Sequence, residues 1–420
     1  MRLAWGLILA ALLASGQQQG PGSKEDQDLE QALMETGGSQ VEYVRALEAH
    51  LKKYPFTARK DEIFQVLAKA AVELKDKPRI LRYGVPAVES GGDNLQLLDH
   101  VTRALLETGG KANAERAARY AKKLAGTLAG GRERLLDSKS SESGRGRRLD
   151  ETEFALARAM LMQSRAAGLT EDVSAALELA RKAWEMYPSL EAALERAKWL
   201  EVSGDVDGAL AAAVEAFVIE DGRAPGELRA LARKRAGELA GKAKGGGAAA
   251  QFAFAAWDGV QKLKQERTQR IAAFDPNYAA AEVLDFTLPA LEGPALAMSS
   301  LKGKVVVLDF WATWCGPCRA QHPLYEKVKK RFADNPDVVF LAVATDEDRA
   351  VVPPFLESVK WTRKSVFYDD GLGMFLRVNS IPTTVVLDRT GAVYSRMNGY
   401  IADRFVEMLS ERIRGALGSE

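Results

Sequence analysis

The spacing of apolar positions changes character twice along the chain. An unbroken apolar run from Leu3 to Leu13 follows Arg2. From about Ser39 to Ile271, Ala, Leu, Glu, Lys and Arg dominate, and the Val/Ile/Thr alternation of a half-buried sheet is absent. This stretch predicts helix after helix, with early members near Val41–Tyr54, Asp61–Leu74, Leu95–Glu107 and Ala112–Leu128. After Pro276 short apolar runs alternate with helical ones. Strands are predicted at Val283–Leu288, Val305–Phe310, Val338–Thr345 and Val366–Tyr368. Helices are predicted between Phe310 and Phe332 and at Val351–Val359, then a hairpin of Thr384–Asp388 with Ala392–Met397, and a closing helix at Phe405–Leu417. The pattern describes a multidomain chain, an all-α helical array at 39–275 followed by an α/β domain at 282–420.

Within the helical part, Ala176-Leu177, Ala180 and Ala183-Trp184 recur 33 residues later as Ala209-Leu210, Ala213 and Ala216-Phe217. Small residues at this spacing let antiparallel helices approach closely, and large ones fill the gaps between pairs. Gly168 and Gly204 are read as turn residues preceding the two copies. A period near 34 with glycine at the inter-helix turn resembles tetratricopeptide repeats, and the best copy runs from Tyr187 to Glu220. The resemblance implies a TPR-like solenoid whose concave face holds a partner. The stretch at 126–150, rich in Gly, Ser and Arg, is expected to be a long exposed loop interrupting the array.

Composition narrows the chemistry. Lys plus Arg number 58 and Asp plus Glu 57, so no charge excess points to nucleic acid. The first apolar run is too short for a membrane span, which needs about twenty residues. With Ala14-Ser15-Gly16 behind it, the run has the form of an export signal at 1–16, followed by a polar, Gly-rich leader at 17–38 expected to be disordered. The mature protein is therefore expected to be periplasmic or otherwise exported. The chain has 2 cysteines, Cys315 and Cys318, so a disulfide-stapled scaffold is excluded.

Those two cysteines lie in Trp314-Cys315-Gly316-Pro317-Cys318, directly after the strand Val305–Phe310 and at the start of a helix. Unpaired N–H groups and the macrodipole at a helix N-terminus favour a thiolate at Cys315. Cys315 would attack a substrate disulfide, and Cys318 would displace the product and leave a Cys315–Cys318 bond. Covalent haem attachment fails because Arg319, not histidine, follows Cys318. A zinc site would have Cys315, Cys318 and His322 but no fourth ligand nearby, so neither metal nor cofactor beyond the redox-active disulfide is expected. Asp309 interrupts the apolar strand between Val307-Leu308 and Phe310-Trp311. A carboxylate covered on both faces acquires a raised pKa and can exchange protons with Cys318.

The segments Asp285-Phe286-Thr287-Leu288-Pro289, Leu301-Lys302-Gly303-Lys304 and Asp309-Phe310-Trp311-Ala312-Thr313-Trp314-Cys315-Gly316-Pro317-Cys318-Arg319 together resemble the TlpA/ResA-type thioredoxin family. The resemblance spans about 282–415 and implies a thioredoxin fold with thiol–disulfide exchange outside the cytoplasm. It matches Asp309 to the family's buried acid and Pro323 to the proline of the active-site helix. It also matches Ile381-Pro382-Thr383 to the cis-proline loop that faces the dithiol. Trp314, Gly316, Pro317, Ile381 and Pro382 are the substrate-binding residues it implies, with the Ile381 backbone pairing to an extended client segment. The sequence departs from many ResA-like members at Gln321, where they carry a glutamate three residues after the second cysteine. His322, one turn beyond Cys318, is a further candidate for tuning the thiolate.

The implied activity is reduction of client disulfides, because Gly-Pro between the cysteines resembles thioredoxin rather than a strong oxidant. Partners implied by the family are protein thiols and disulfides, a membrane electron donor, and apocytochrome c or copper-site clients. Two other readings remain open at this point. One is a non-catalytic adaptor in which the helical array recruits a partner and the α/β domain docks it. The other is a peroxidase acting through Cys315.

Overall fold

The computed structural model describes residues 23–37, 39–91, 94–137, 144–242, 249–273 and 275–418. The expected export signal at 1–16 lies outside them. The chain divides into two compact units, one drawn from Met1–Ala129 and Phe154–Val260, the other from Gly130–Glu153 and Gln261–Glu420. None of the described helices is long and apolar enough to cross a membrane.

The first unit is helical throughout. Helix α1 (Lys24–Met34) falls within the stretch expected to be a disordered leader. Ser23 and Asp26 close a capping box at its start, and Leu29 and Leu33 bury its apolar face, which is enough order to hold a short helix. Helices α2 (Gln40–Lys53) and α3 (Lys60–Glu73) follow, then a helical stretch with a π-turn at Ile80–Gly84, then α4 (Leu95–Thr108). Helices α5 (Lys111–Leu136) and α6 (Arg145–Leu169) occupy most of the segment expected to be a loop at 126–150. Its glycines at 126, 130 and 131 lie inside α5, where their helix cost is outweighed by burial of Leu124 and Leu135. Residues 138–143 of that segment lie outside the described residues.

Helices α7 (Val173–Met186), α8 (Leu190–Val202), α9 (Val206–Val218) and α10 (Gly226–Lys242) pack successively on one another, and α11 (Ala249–Ala272) follows. The sequence repeat is physical. Ala176, Ala180 and Ala183 of α7 and Ala209, Ala213 and Ala216 of α9 are all buried. The caps repeat as well, Asp172 accepting from the Ala175 N–H and Asp205 from the Gly208 N–H. The glycines are placed differently from expectation. The residue equivalent to Gly204 (φ 90°) is Glu171 (φ 65°), and both take the left-handed turn between helices. Gly168 instead lies within α6, where a Cβ would meet Cη2 of Trp199 at 1.9 Å. Its lack of a side chain admits the indole.

The second unit contains the α/β fold. A two-stranded ribbon, β1 (Thr287–Leu288) and β2 (Leu296–Ala297), precedes a five-stranded sheet of β3 (Val305–Trp311), β4 (Val338–Ala344), β5 (Val366–Tyr368), β6 (Thr383–Leu387) and β7 (Val393–Asn398). The sheet order is β5-β4-β3-β6-β7, with β3, β4 and β5 parallel and β6 and β7 antiparallel. The first half of the first predicted strand is a 3₁₀ turn, Val283–Asp285, and only its last two residues pair. Helices α12 (Gly316–Arg331) and α15 (Phe405–Gly418) cover one face; α13 (Val352–Val359) and the short α14 (Leu372–Phe375) complete the fold.

All seven residues of β3 are buried, so the central strand reads as a continuous apolar run rather than an alternation. Val305 and Val307 point to Tyr325, Val328 and Leu409, while Val306, Leu308 and Phe310 point to Phe286 and Leu372. This period of two directs Asp309 towards α12. The unit begins earlier than the expected boundary at 282. Leu135, Leu149 and Ile271 form a small core of their own. Beside it, fully buried Glu153 receives Arg132, Arg267 and Arg270 at 2.9, 2.7 and 2.9 Å.

Candidate active site

Cys315 caps α12, with Pro317 in the first turn, where a missing N–H costs nothing. Its Sγ accepts from the Cys318 N–H at 3.2 Å, so the sulfur sits where the helix presents its unpaired donors. Cys315 and Cys318 form a disulfide with Cα atoms 5.3 Å apart. Both are nearly buried, at 3% and 5% exposure, while Trp314 beside them is 71% exposed. The loop ahead of the dithiol is held by Asp346, which accepts from the Thr313 N–H at 3.0 Å and from its hydroxyl at 2.6 Å.

Behind the dithiol, Asp309 is buried, and burial pushes its carboxyl up to about 7. Hydrogen bonds from the Thr384 hydroxyl (3.0 Å) and the Gln321 amide (3.3 Å) favour the ionised form but do not offset the desolvation. A cavity of about 20 Å³ is lined by Asp309, Cys318, Trp311, His322, Tyr325 and Trp361, among others. That volume accommodates one water molecule. Trp311 Nε1 and Tyr325 Oη, two of its polar lining atoms, are buried with no hydrogen-bond partner among the described residues. Asp309 and Cys318 thus border the same small cavity.

The Ile381–Pro382 peptide bond is cis. Ile381 packs against the apolar cluster that contains Cys315, Cys318 and Trp311. An open groove of about 590 Å³ runs beside it, with Trp314, Asp369, Met374, Arg377, Val378 and Ile381 in its walls. Gly316, Pro317 and Pro382 do not line that groove. The first two begin α12, and the Pro382 carbonyl accepts from the Gly399 N–H at the end of β7.

His322 stacks flat on Trp361, ring centroids 3.5 Å apart and planes 3° from parallel, and burial lowers its pKa. It is a neutral wall of the cavity. Sequence reasoning missed Thr384, Asp346, Trp361 and Asp369. Thr384 stands directly opposite Asp309 in the antiparallel register of β3 and β6, which strand pairing alone would reveal. Asp369, whose carboxyl is raised by burial, accepts from the Gly373 N–H at 2.9 Å and brings an acid to the groove. Among the described residues, no group of three or more His, Cys, Asp or Glu side chains is arranged to hold a metal ion.

Residues 279–413 match the family model described as Redoxin. The thioredoxin-like protein YneN of Bacillus subtilis (strain 168) is 36% identical over 110 residues, which are 26% of this chain and 65% of that protein. The thiol-disulfide oxidoreductase ResA of Geobacillus kaustophilus (strain HTA426) is 33% identical over 136 residues, 31% of this chain and 75% of that protein. A crystal structure of a secreted Mycobacterium tuberculosis disulfide oxidoreductase homologous to E. coli DsbE is 30% identical, covering 32% of this chain and 99% of that one with a TM-score of 0.28.

Proposed function

Because the chain belongs to the Redoxin family of thioredoxin-like thiol–disulfide oxidoreductases, we propose that it reduces disulfides of exported client proteins through Cys315 and Cys318. The observation that carries this reading is a dithiol at a helix N-terminus with a buried, readily protonated acid behind it. In the reduced protein the Cys315 thiolate attacks one sulfur of a client disulfide, and the other client sulfur leaves as a thiolate. Asp309 accepts the proton of the Cys318 thiol across the small cavity. The Cys318 sulfur then attacks Cys315 Sγ, releasing the second client thiol and closing the Cys315–Cys318 bond. Two electrons pass from the dithiol to the client, and an external donor must return them. A membrane donor, and clients of the apocytochrome c or copper-site kind, follow from the family resemblance.

The groove lined by Trp314 and Ile381 is where an extended client segment would lie. The helical array is assigned the recruitment of client or partner, in keeping with its TPR-like repeat. Export of the chain rests on the apolar run Leu3–Leu13 and the small residues after it. The test is insulin reduction with dithiothreitol as donor. Wild type accelerates precipitation of the freed insulin chains and Cys315→Ser does not; equal rates would leave the adaptor reading in its place.

A further inference from the structure

Resting on the client-groove reading above, we infer that Asn277, Gly144 and Arg147 are positioning residues that hold one wall of that groove. All three precede the family-matched region in sequence. The wall is α14 with the residues after it, since Gly373, Met374, Arg377 and Val378 face the groove. A four-residue helix has too few internal hydrogen bonds to hold its own place. Its position is set by what grips it from behind.

Four contacts do so. Asn277 is buried, and its amide Nδ2 donates to the carbonyls of Asp370 (3.0 Å) and Thr287 (2.9 Å), while its Oδ1 accepts from the Thr287 N–H (2.7 Å). One side chain thus clips Asp370, two residues before α14, to strand β1. Arg349 holds Asp370 from another side, at 2.7 Å. Gly144 and Gly371 meet backbone to backbone: a Cβ on Gly371 would lie 3.4 Å from Gly144 Cα, and one on Gly144 would lie 3.6 Å from Met374 Cε. Both have positive φ, 62° and 89°. Arg147 lays its guanidinium 5.5 Å from the Phe375 ring centre, the last of the four.

The first turn of α6 is fixed in turn by the Asp275 carboxylate, which accepts from the Gly146 N–H. A Cβ at Gly146 would come within 2.5 Å of that carboxylate, so the seat admits only glycine. The bend at 275–278 and the start of α6 therefore form a strap behind the groove wall. Displacing the wall by about 1 Å would weaken client binding without touching the dithiol, because misplacement of binding groups is costly even far from the reacting atoms.

The experiment uses the full chain with Asn277→Ala and, separately, Arg147→Ala. Each is assayed against insulin, which needs the groove, and against 5,5′-dithiobis(2-nitrobenzoate), a small disulfide that does not. The dithiol midpoint potential is read from tryptophan fluorescence. Asn277→Ala is expected to raise KM for insulin about tenfold and Arg147→Ala about threefold, with kcat, the small-disulfide rate and the potential within about twofold of wild type. An unchanged insulin KM in both variants overturns the proposal. So does a parallel fall of both substrates, which signals a merely structural role. If near-UV circular dichroism shows that Asn277→Ala does not fold, Arg147→Ala, a change at a half-buried side chain, decides alone. A wild type that reduces neither disulfide defeats the underlying functional reading instead.

Discussion

The Gln321 amide donates to Oδ1 of Asp309 across 3.3 Å, in a site where both side chains are buried. Many ResA-like relatives carry a second carboxyl at this position; here a neutral amide faces the acid. No second carboxyl at position 321 therefore splits the proton affinity of Asp309. Replacing Gln321→Glu would set two carboxyls against each other. The expected outcome is a two-step titration whose upper step lies above that of wild-type Asp309, read from the pH dependence of client reduction. A single step at the wild-type position would show that the two groups do not interact.

Removing the acid should slow the step that depends on Cys318. Asp309→Asn is expected to lower client reduction at neutral pH by roughly a hundredfold, the lower end of the hundred- to ten-thousandfold ordinarily contributed by a positioned proton acceptor. The rise in rate that accompanies Asp309 ionisation near pH 7 should vanish with it. Stopped-flow rates from pH 5 to 9 check this, and a profile identical to wild type contradicts the proposed proton transfer.

The same substitution has an opposite consequence for stability. Asp309 ionises at about 7 in the folded protein against 3.8 in the reference state, so the folded form holds the extra proton between those values. The stabilisation present below pH 4 is therefore lost as pH rises through 7. The loss reaches about 4 kcal/mol, because each pH interval of one between the two values is worth roughly 1.4 kcal/mol. Asp309→Asn should flatten this dependence and be the more stable form at pH 8. Urea unfolding of the oxidised proteins at pH 5 and 8 measures it.

In the helical unit, Gly168 is the position where one methyl group does most harm. Alanine ordinarily favours a helix over glycine by about 1 kcal/mol. At this site its Cβ overlaps the buried Trp199 indole, whose Nε1 is held by Glu195 at 2.9 Å. Gly168→Ala should lower stability by about 1–3 kcal/mol, as overpacking does. Thermal or urea unfolding would register the loss, and a stabilised variant would contradict this packing.

Different parts of the site were legible in the sequence to different degrees. The dithiol was plain because the strand, the CGPC turn and the helix that follows are consecutive, and local backbone geometry alone brings Cys315 to the helix end. Asp309 was legible for a related reason: an acid inside a seven-residue apolar strand must be buried whichever partners it meets. Pro382 was found by resemblance to a family, not by physics. The loop expected at 126–150 went wrong because glycine content was weighed without the tertiary burial that outweighs it, and the leader helix α1 for the same reason.

By itself, then, the sequence determined what depends on neighbours along the chain: the helical period, the 33-residue repeat, the buried strand and the redox motif. Only the tertiary structure decided which distant residues complete each site. Thr384 reaches Asp309 through strand register, and Trp361 lies flat on His322 from a loop beyond α13. Asn277 grips Asp370 from 93 positions away. Such contacts carry no periodic trace in the chain, because they are specified by how whole elements pack and not by the spacing of residues within any one of them.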